Sequence, residues 1–281
     1  MWLDVVTRDL VRLALAEDLG RGDLTTEAVI PADATARASV WIKEPSRVCG
    51  TEVAAWVFHE VDPRLQVTVL CPDGIDLDGS SVVMRVEGAA RSILGAERTA
   101  LNFLSRLTGI ATAARDAVRE VEGTIARILD TRKTTPGWRA LEKYAVRVGG
   151  AWNHRFALDD MVLIKDNHIA VAGGVREAVS RAKARAGFAH KVEVEVESLD
   201  QLEEAIAAGA DVVLLDNMDL ETMREAVRRT GGRVPLEASG NMRPGRLRAV
   251  AETGVDFISM SHITMRAQAV DVGLDIEMDL G

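Results

Sequence analysis

Residues 191–217, KVEVEVESLDQLEEAIAAGADVVLLDN, decide the fold. They contain two short runs rich in β-branched residues, and the segment between these runs has the alternation of polar and apolar residues that is typical of a helix. Two strands joined by a helical crossover of about a dozen residues or more lie parallel in one sheet. The stretch therefore predicts one strand–helix–strand unit of a parallel α/β fold.

The same alternation of strand and helix extends in both directions from this stretch. The runs that predict strands are TIARIL (124–129), MVLIK (161–165), KVEVEV (191–196), DVVLL (211–215), RVPLE (233–237) and VDFISM (255–260). A segment with helical spacing lies between each pair of consecutive runs. Six strands that alternate with helices predict a parallel sheet that curls into a barrel.

The first hundred residues have a different, mixed pattern. Strands are predicted at 36–43, 65–70 and 80–88, and helices at 4–17, 51–61 and 95–123, the last with a kink near Gly109. The closing segment AVDVGLDIEM (269–278) has the pattern of a strand, and we expect it to return to the first domain. The chain is therefore predicted to hold two domains.

Composition excludes several classes of protein. The 281 residues are 47% hydrophobic and 27% charged, with a formal net charge of −9, which opposes binding to nucleic acid or to a membrane surface. No apolar stretch approaches the ~20 residues that span a bilayer, and the start MWLDVVTRDL does not have the pattern of a signal peptide. Cys49 and Cys71 are two isolated thiols, so we expect a cytoplasmic protein without disulfides or structural zinc.

Polar residues follow the predicted barrel strands, where parallel α/β folds bind their ligands. From the first strand to the sixth they are Asp130, Arg132 and Lys133; Lys165, Asp166, Asn167 and His168; Glu193, Glu195 and Glu197; Asp216 and Asn217; Glu237, Ser239, Gly240 and Asn241; Ser259, Ser261 and His262. An Arg-Lys pair in a loop is more often a solvated surface feature. However, glutamates alternating along a barrel strand must point inward, where they need cations or a metal.

Two further segments support a site for anions. His154 and Arg155 follow a pair of glycines, and a guanidinium binds carboxylate or phosphate through two parallel hydrogen bonds. The residues ASGN (238–241) end a strand with small side chains, and their backbone N–H groups could face a phosphate. The residues therefore predict a barrel mouth that binds anionic groups, with acids available for Mg²⁺.

DTRKTTPGWRALEKYAVRVGGAWNHRFALDDMVLIKDNH (130–168) resembles the quinolinate phosphoribosyltransferase family, also called decarboxylating nicotinate-nucleotide pyrophosphorylases. EDLGRGDLTTEAVIP, GAERTALNFLSRLTGIAT, VEVEVESLDQLEEA, GADVVLLDNM and EASGN match the family in the same order. The resemblance implies an N-terminal α/β sandwich (1–108, completed by 266–281) and an incomplete, seven-stranded α/β barrel (109–265) of the type II phosphoribosyltransferase kind. It also implies a homodimer with shared sites, or a higher oligomer built from such dimers.

The implied reaction joins quinolinate to 5-phosphoribosyl 1-pyrophosphate with Mg²⁺ and loses CO₂, which gives nicotinate mononucleotide and pyrophosphate for NAD biosynthesis. By resemblance, the quinolinate carboxylates are bound by Arg132, His154, Arg155 and Lys165, with Arg98 supplied by a neighbouring subunit. The implied catalytic residues are Lys133, near the pyrophosphate, and Glu195 and Asp216, which serve the ribose and the metal. Ser239 and Gly240 are expected to contact the 5′-phosphate.

Some positions depart from the family pattern. Asn241 stands in place of a second glycine, and Ala157 stands where glycine is usual. The segment SMSHITMRA (259–267) replaces one that usually reads S-V-G-A-L-T-H-S, so that Ser261 occupies a glycine position and Met265 a histidine position, with His262 as a possible replacement. These changes concern the expected phosphate contacts from the last strand.

Three other functions are compatible with parts of the pattern. One is a phosphoribosyltransferase for another aromatic acid. An assay that compares nicotinate with quinolinate as substrates distinguishes it from the quinolinate enzyme. Another is an enzyme that forms a Schiff base at Lys165, which borohydride trapping would detect. A third is a non-catalytic metabolite-binding protein, which would bind quinolinate without turnover.

Overall fold

The computed structural model describes residues 5–278. The helices are α1 Val5–Leu19, α2 Leu24–Val29, α3 Thr51–Val61, α4 Ala90–Glu120, α5 Arg139–Val148, α6 Asp166–Ala172, α7 Val175–Arg185, α8 Leu199–Ala207, α9 Leu220–Thr230, α10 Leu247–Ala251 and α11 His262–Met265. The strands are β1 Thr35–Ile42, β2 Ser46–Arg47, β3 Gln66–Val69, β4 Asp76–Leu77, β5 Ser81–Ala89, β6 Arg127–Leu129, β7 Val162–Ile164, β8 Val192–Val196, β9 Val212–Asp216, β10 Leu236–Ser239, β11 Phe257–Ser259 and β12 Val272–Met278.

The chain forms two compact units. The first contains residues 1–115, 135–150 and 267–281, and the second contains residues 116–134 and 151–266. The division at 108/109 and 265/266 that the sequence motifs indicate stays a prediction about the domains.

An antiparallel sheet with the strand order β12-β1-β5-β3 forms the first unit's framework. β1 alternates buried and more exposed residues, as its sequence pattern predicts, and Ala38, Val40 and Ile42 are almost completely buried. β12 pairs antiparallel with β1, from Val272 opposite Ile42 to Met278 opposite Ala36. The prediction that the closing segment returns to the first part of the chain is therefore confirmed.

The apolar spacing that predicts the first helix, at Val6, Leu10, Leu13 and Ala14, does not mark its buried face. The buried residues of α1 are Thr7, Val11 and Leu15, whereas Val6 and Leu13 are 61% and 67% exposed. Apolar spacing alone cannot distinguish two neighbouring faces of a helix when both carry apolar residues. Asp4, the first residue of the predicted helix, lies outside the described residues.

α4 is one unbroken helix of 31 residues, and Gly109 has a different role from the predicted kink. A Cβ atom built on Gly109 would lie 1.9 Å from the carbonyl oxygen of Gln268. Glycine is therefore required because the backbone of the returning C-terminal segment crosses the helix at this position. A hydrogen bond from the Ser105 hydroxyl to the Val270 carbonyl, 2.6 Å long, holds the same crossing.

The second unit contains a parallel sheet with the strand order β6-β11-β10-β9-β8-β7. The seventh strand that the resemblance implies corresponds, among the described residues, to a single parallel bridge between Leu129 and Trp152. In β8, Val192, Val194 and Val196 are fully buried on one face, while Glu193 is buried on the other. Valines cover the face under the helices, so the glutamates point into the barrel, as the alternation predicts.

No helix within residues 5–278 has the length and apolar character needed to cross a membrane.

We predict that Gly109→Ala lowers the free energy of unfolding by about 1–3 kcal/mol, because the added methyl group collides with backbone that cannot rotate away. Gly95→Ala on the same helix is the matched control, since its Cβ would meet only Leu19 Cδ2 at an ordinary 3.4 Å. Helix propensity should then raise stability by up to about 1 kcal/mol. Urea denaturation measures the free energy of unfolding of each variant. Equal denaturation midpoints for the two variants would contradict the close approach of the C-terminal segment to Gly109.

Candidate active site

Two adjoining cavities lie at the carboxyl ends of the parallel strands in the second unit. The first has a volume of about 290 Å³ and is lined by Thr131, Arg132, Lys133, His154, Arg155, Leu163, Lys165, Leu214, Glu237, Ser239 and Ser259. The second has a volume of about 300 Å³ and is lined by Thr131, Lys133, Ser239, Gly240, Asn241, Met242, Arg243, Ser259, Met260, Ser261, His262 and Arg266. Lys133 and Ser239 are among the residues that line both cavities, so a ligand group in one lies beside a group in the other.

Four cationic side chains surround the first cavity, on Arg132, Lys133, Arg155 and Lys165. Arg155 is 9% exposed, and burial together with the nearby Arg132 charge lowers the pKa of its guanidinium, while the Glu193 and Asp160 charges act in the opposite direction. Two guanidinium groups held together in a partly buried space repel each other. An anion that enters the cavity relieves this repulsion, so the cavity is suited to carboxylates.

A buried aspartate holds the loop that carries His154 and Arg155. Asp130 directly follows β6 and is fully buried, and its carboxylate accepts hydrogen bonds from Asn153 Nδ2 (2.6 Å) and from the backbone N–H of His154 (2.8 Å). Arg155 Nη1 also donates to the Met161 carbonyl at 2.9 Å. Asp130 is therefore a positioning residue, and the sequence grouped it only with the other polar strand ends.

His154 lies between the loop and two inner carboxyl groups. Its Nδ1 accepts a hydrogen bond from the Arg155 backbone N–H at 2.6 Å, so the proton of a neutral imidazole is assigned to Nε2. Nε2 lies 3.0 Å from Glu193 Oε2 and 3.6 Å from Glu237 Oε2. The ring lines the first cavity while its N–H faces inward, so a direct contact between His154 and a substrate carboxylate stays a prediction.

Glu193 and Glu237 are 1% and 2% exposed, and they lie on the inner side of β8 and β10. Burial raises the pKa of Glu237 above its usual range, the neighbouring Glu193 charge raises it further, and His154 acts in the opposite direction. The potential ligand atoms of His154, Glu193 and Glu237 lie within 4.8 Å of one another, a spacing that a metal ion or a shared proton could bridge. Sequence reasoning placed both glutamates at strand ends and assigned neither to the site.

Glu195 and Asp216, the two acids predicted for ribose and metal, end neighbouring strands. Lys165 Nζ donates to Glu195 Oε2 at 2.7 Å, and Asn217 Nδ2 donates to Asp216 Oδ2 at 2.7 Å. Within the sheet Asp216 lies opposite Ser239 of β10. Carboxylate oxygens at one edge of a sheet are the donors that Mg²⁺ prefers.

The second cavity is bounded by a loop with two left-handed residues after β10. Gly240 has φ 88°, and a Cβ there would lie 2.2 Å from Asn217 Oδ1. Asn241 has φ 52°, a conformation that asparagine tolerates better than most residues, so it replaces the expected glycine while preserving a glycine-like backbone.

Cations that sequence reasoning did not select also line the second cavity. They are Arg243 and Arg266, and they accompany Ser261 and His262 from the altered last-strand segment. Met265, at the expected histidine position, is 53% exposed and is not among the residues that line the cavity. The basic residues of NMRPGR, which directly follow the ASGN segment, were a signal that could have identified Arg243.

The structure places seven of the ten predicted site residues in the walls of the two cavities: Arg132, Lys133, His154, Arg155, Lys165, Ser239 and Gly240. Glu195 contacts the first cavity through Lys165, and Asp216 ends the strand beside Ser239. Arg98 lies on α4 in the first unit, where its side chain is exposed.

Comparison with known families and proteins agrees with these features. The family model for the quinolinate phosphoribosyl transferase N-terminal domain matches residues 23–108, and the model for the C-terminal domain matches residues 110–275. The chain is 42% identical to the nicotinate-nucleotide pyrophosphorylase (carboxylating) of Mycobacterium leprae, covering 96% of each chain. It is 40% identical to a probable enzyme of the same name from Bacillus subtilis, covering 93% of this chain and 90% of that one.

Solved structures give the same result. The nicotinate-nucleotide pyrophosphorylase from Francisella tularensis superposes with a TM-score of 0.94 at 43% sequence identity, covering 99% of this chain and 98% of that one. Both family models, near-complete coverage by relatives and a matching fold lead to one assignment. The chain belongs to the quinolinate phosphoribosyl transferase family.

Proposed function

We propose that this protein transfers the phosphoribosyl group of 5-phosphoribosyl 1-pyrophosphate to quinolinate with loss of CO₂, which yields nicotinate mononucleotide and pyrophosphate for NAD biosynthesis. The observation that carries the proposal is the first cavity, where four cations surround a space of about 290 Å³. Quinolinate is a small aromatic dianion, so its two negative charges match the positive charge of this cavity. The direct test is quinolinate-dependent release of CO₂ and pyrophosphate by purified protein, with nicotinate as the control substrate.

The first cavity supports binding of quinolinate because it offers both positive charge and apolar wall. Arg132, Arg155 and Lys165 offer donors to the two carboxylates, and Arg side chains can bind each carboxylate through two hydrogen bonds. Leu163 and Leu214 form an apolar surface for the flat ring. Orienting the ring in this way fixes its nitrogen for attack on the donor, which lowers the entropic part of the barrier.

The second cavity supports the phosphoribosyl donor. The loop of Ser239, Gly240 and Asn241 presents small side chains and accessible backbone, and Arg243 and Arg266 supply positive charge. We assign the 5′-phosphate to this cavity, with Arg266 in place of the histidine that the family pattern leads one to expect at 265. Lys133 lies between the two cavities, where it offsets negative charge that develops on the leaving pyrophosphate.

Magnesium is part of the proposal, and Glu195 and Asp216 would hold it directly or through the ribose hydroxyls and water. Their carboxylate oxygens fit, because magnesium in phosphate-processing sites typically takes one or two protein carboxylates together with substrate oxygens. When bound, the ion would neutralise charge on the pyrophosphate. Glu195 and Asp216 would also stabilise the positive character that the ribose acquires as pyrophosphate leaves.

Decarboxylation then follows from the chemistry of the product of transfer. A ribosylated ring nitrogen is positively charged, so it stabilises the electron pair left on C2 when CO₂ departs.

The alternative in which Lys165 forms a Schiff base is less consistent with the structure. An amine that attacks a carbonyl must be neutral, whereas Lys165 Nζ donates a hydrogen bond to the Glu195 carboxylate at 2.7 Å, a contact that favours the charged ammonium.

We predict that Arg132→Ala weakens quinolinate binding about ten- to a hundredfold, because a charge-assisted hydrogen bond contributes roughly 1.5–3 kcal/mol. Arg181→Ala, which removes an exposed guanidinium paired with Glu177 on α7, is the matched control and should bind like wild type. Calorimetric titration with quinolinate measures both. Unchanged affinity in Arg132→Ala would exclude Arg132 from the substrate site.

We predict that Asp216→Asn impairs use of the phosphoribosyl donor about tenfold or more, a loss of at least about 1.4 kcal/mol, and leaves quinolinate affinity within about twofold. The control is Asp211→Asn, the same chemical change at the residue that precedes β9. Asp211 contacts Lys183 and the Val192 backbone, so its replacement should leave use of the donor unchanged. Steady-state kinetics at varied donor and magnesium provide the measurement. Full activity in excess chelator would refute a magnesium requirement.

We also propose a homodimer in which Arg98 completes the quinolinate site of the other subunit. Four large apolar side chains on α1 and α2 support association of the first unit with a second copy, because they are 61–83% exposed: Val6, Leu13, Leu24 and Val29. The exposed Arg98 on α4 belongs to the same unit.

We place the protein in the cytoplasm, since Cys49 and Cys71 are both free thiols.

Mixing two inactive variants tests the shared site. Random exchange of Arg98→Ala with Lys133→Ala should restore up to about a quarter of wild-type activity, because half of the dimers are mixed and each mixed dimer has one intact site. The control mixture, Arg132→Ala with Lys133→Ala, should restore none, since both residues belong to the same chain's half of the site. If exchange is verified by mass spectrometry and the first mixture stays inactive, Arg98 does not act across subunits.

A further inference from the structure

The group of His154, Glu193 and Glu237 contains two glutamates that have no role in the function proposed so far. It lies one layer deeper in the barrel than the phosphate-facing residues, because Glu237 precedes Ser239 by two positions on β10. In the sheet Glu237 is opposite Leu214, and Glu193 is opposite Leu163. Glu237 and both leucines line the first cavity. The carboxyl group of Glu237 therefore belongs to the apolar inner wall against which the pyridine ring would lie.

The hydrogen bonding of this group requires a proton. Among residues 5–278, Oε1 of Glu237 and both carboxylate oxygens of Glu193 are buried and receive no hydrogen bond from protein. The single imidazole N–H of His154 faces Oε2 of both glutamates. Two buried carboxylates so close together would repel each other strongly. If one carboxyl keeps its proton, the repulsion is removed and a donor becomes available to the other.

Burial and the neighbouring Glu193 charge both raise the pKa of Glu237, so the protonated carboxylic acid is favoured at this position. The groups that face Glu237 are Glu193 from β8, His154 from the loop after β6, and Ser259 from β11. The cations of the cavity lie in the same walls. A neutral acid in contact with a substrate cavity is a suitable proton donor.

We propose that Glu237 is a catalytic residue that protonates C2 of the pyridine ring as CO₂ leaves. The inference rests on the proposed function and goes beyond it, because phosphoribosyl transfer itself requires no proton at carbon.

The step balances as follows. The bond between C2 and the carboxylate carbon breaks, its electron pair stays on C2 beside the positive ring nitrogen, and CO₂ departs. The Glu237 O–H bond then breaks, a C2–H bond forms, and Glu237 becomes a carboxylate. The His154 N–H, 3.6 Å from Glu237 Oε2, faces the resulting charge, and solvent returns the proton after the product leaves. Unless C2 is protonated quickly, CO₂ recombines with it.

The lysines of the cavity are less suitable donors. Lys165 Nζ already donates to Glu195 at 2.7 Å, and loss of its proton would remove a charge that holds the substrate. Lys133 is exposed and lines both cavities, which suits the pyrophosphate better than the inner wall. Glu237 lines the first cavity together with Leu163 and Leu214, and these apolar side chains favour formation of neutral CO₂.

Glu237→Gln separates the chemical role from a structural one. The amide has the shape of the acid and its NH₂ can still donate to Glu193, but it cannot transfer a proton to carbon. In a single turnover with carboxyl-labelled quinolinate, we expect the variant to release pyrophosphate at a rate near that of wild type. Formation of CO₂ and nicotinate mononucleotide should slow by about a hundredfold or more, with the carboxylated nucleotide accumulating.

Glu193→Gln is the companion variant, because Glu193 belongs to the same group but is not among the residues that line the cavity. Loss of its charge removes one cause of the raised pKa of Glu237 but leaves the acid in place, so nucleotide formation should slow less than in Glu237→Gln, with pyrophosphate release near the wild-type rate. Glu237→Asp retains an acid and should recover part of the nucleotide formation lost in Glu237→Gln. Circular dichroism verifies that each variant is folded.

The outcomes distinguish this inference from the proposed function. If wild type releases no pyrophosphate with quinolinate, the proposed function fails. If wild type is active and Glu237→Gln slows pyrophosphate release and nucleotide formation equally, or slows neither, Glu237 is not the proton donor. Stoichiometric zinc or magnesium in the purified wild type that is lost in both glutamine variants would also overturn the inference, because the group would then be a metal site.

Discussion

Repulsion between Arg132 and Arg155 in a partly buried space is the constraint on which the candidate site depends. Burial and this repulsion both disfavour the charged form of Arg155, and the fold must hold the two groups together nevertheless. Asp130 fixes the loop through two hydrogen bonds, and Glu193 supplies a compensating charge from the inner side of the sheet. The site is therefore arranged in advance for an anion, and binding of quinolinate would release stored electrostatic energy.

The parallel sheet explains why so many different charges meet in one place. Each strand contributes polar residues at its carboxyl end, and the two-residue period of a strand places Glu193 and Glu195, or Glu237 and Ser239, on the same inner face in successive layers. The outer layer holds groups suited to ribose and phosphate, and the inner layer holds the paired carboxyls. In the proposed mechanism, a single layer of side chains separates the chemistry of transfer from that of carbon protonation.

Departures from the family pattern become understandable once backbone conformation is considered. Asn241 occupies a left-handed position that usually favours glycine, so the loop after β10 keeps its course. Met265 lies outside the cavity walls, while Arg266, its neighbour in sequence, lines the second cavity. Under the proposed function, Arg266 takes the role of the missing histidine, because its guanidinium side chain lines the second cavity.

The sequence by itself determined the class of fold, the positions of the parallel strands, the return of the C-terminal strand and all four cations around the first cavity. These features depend on local periodicity and on the rule that ligands lie at the carboxyl ends of parallel strands, both of which are visible in one dimension. It did not determine the buried face of α1, the reason for Gly109, the seventh strand's reduction to a bridge at Trp152, or the grouping of His154 with Glu193 and Glu237. Those depend on contacts between residues far apart in the chain, and only the tertiary structure decides which side chains share a surface and which share a proton.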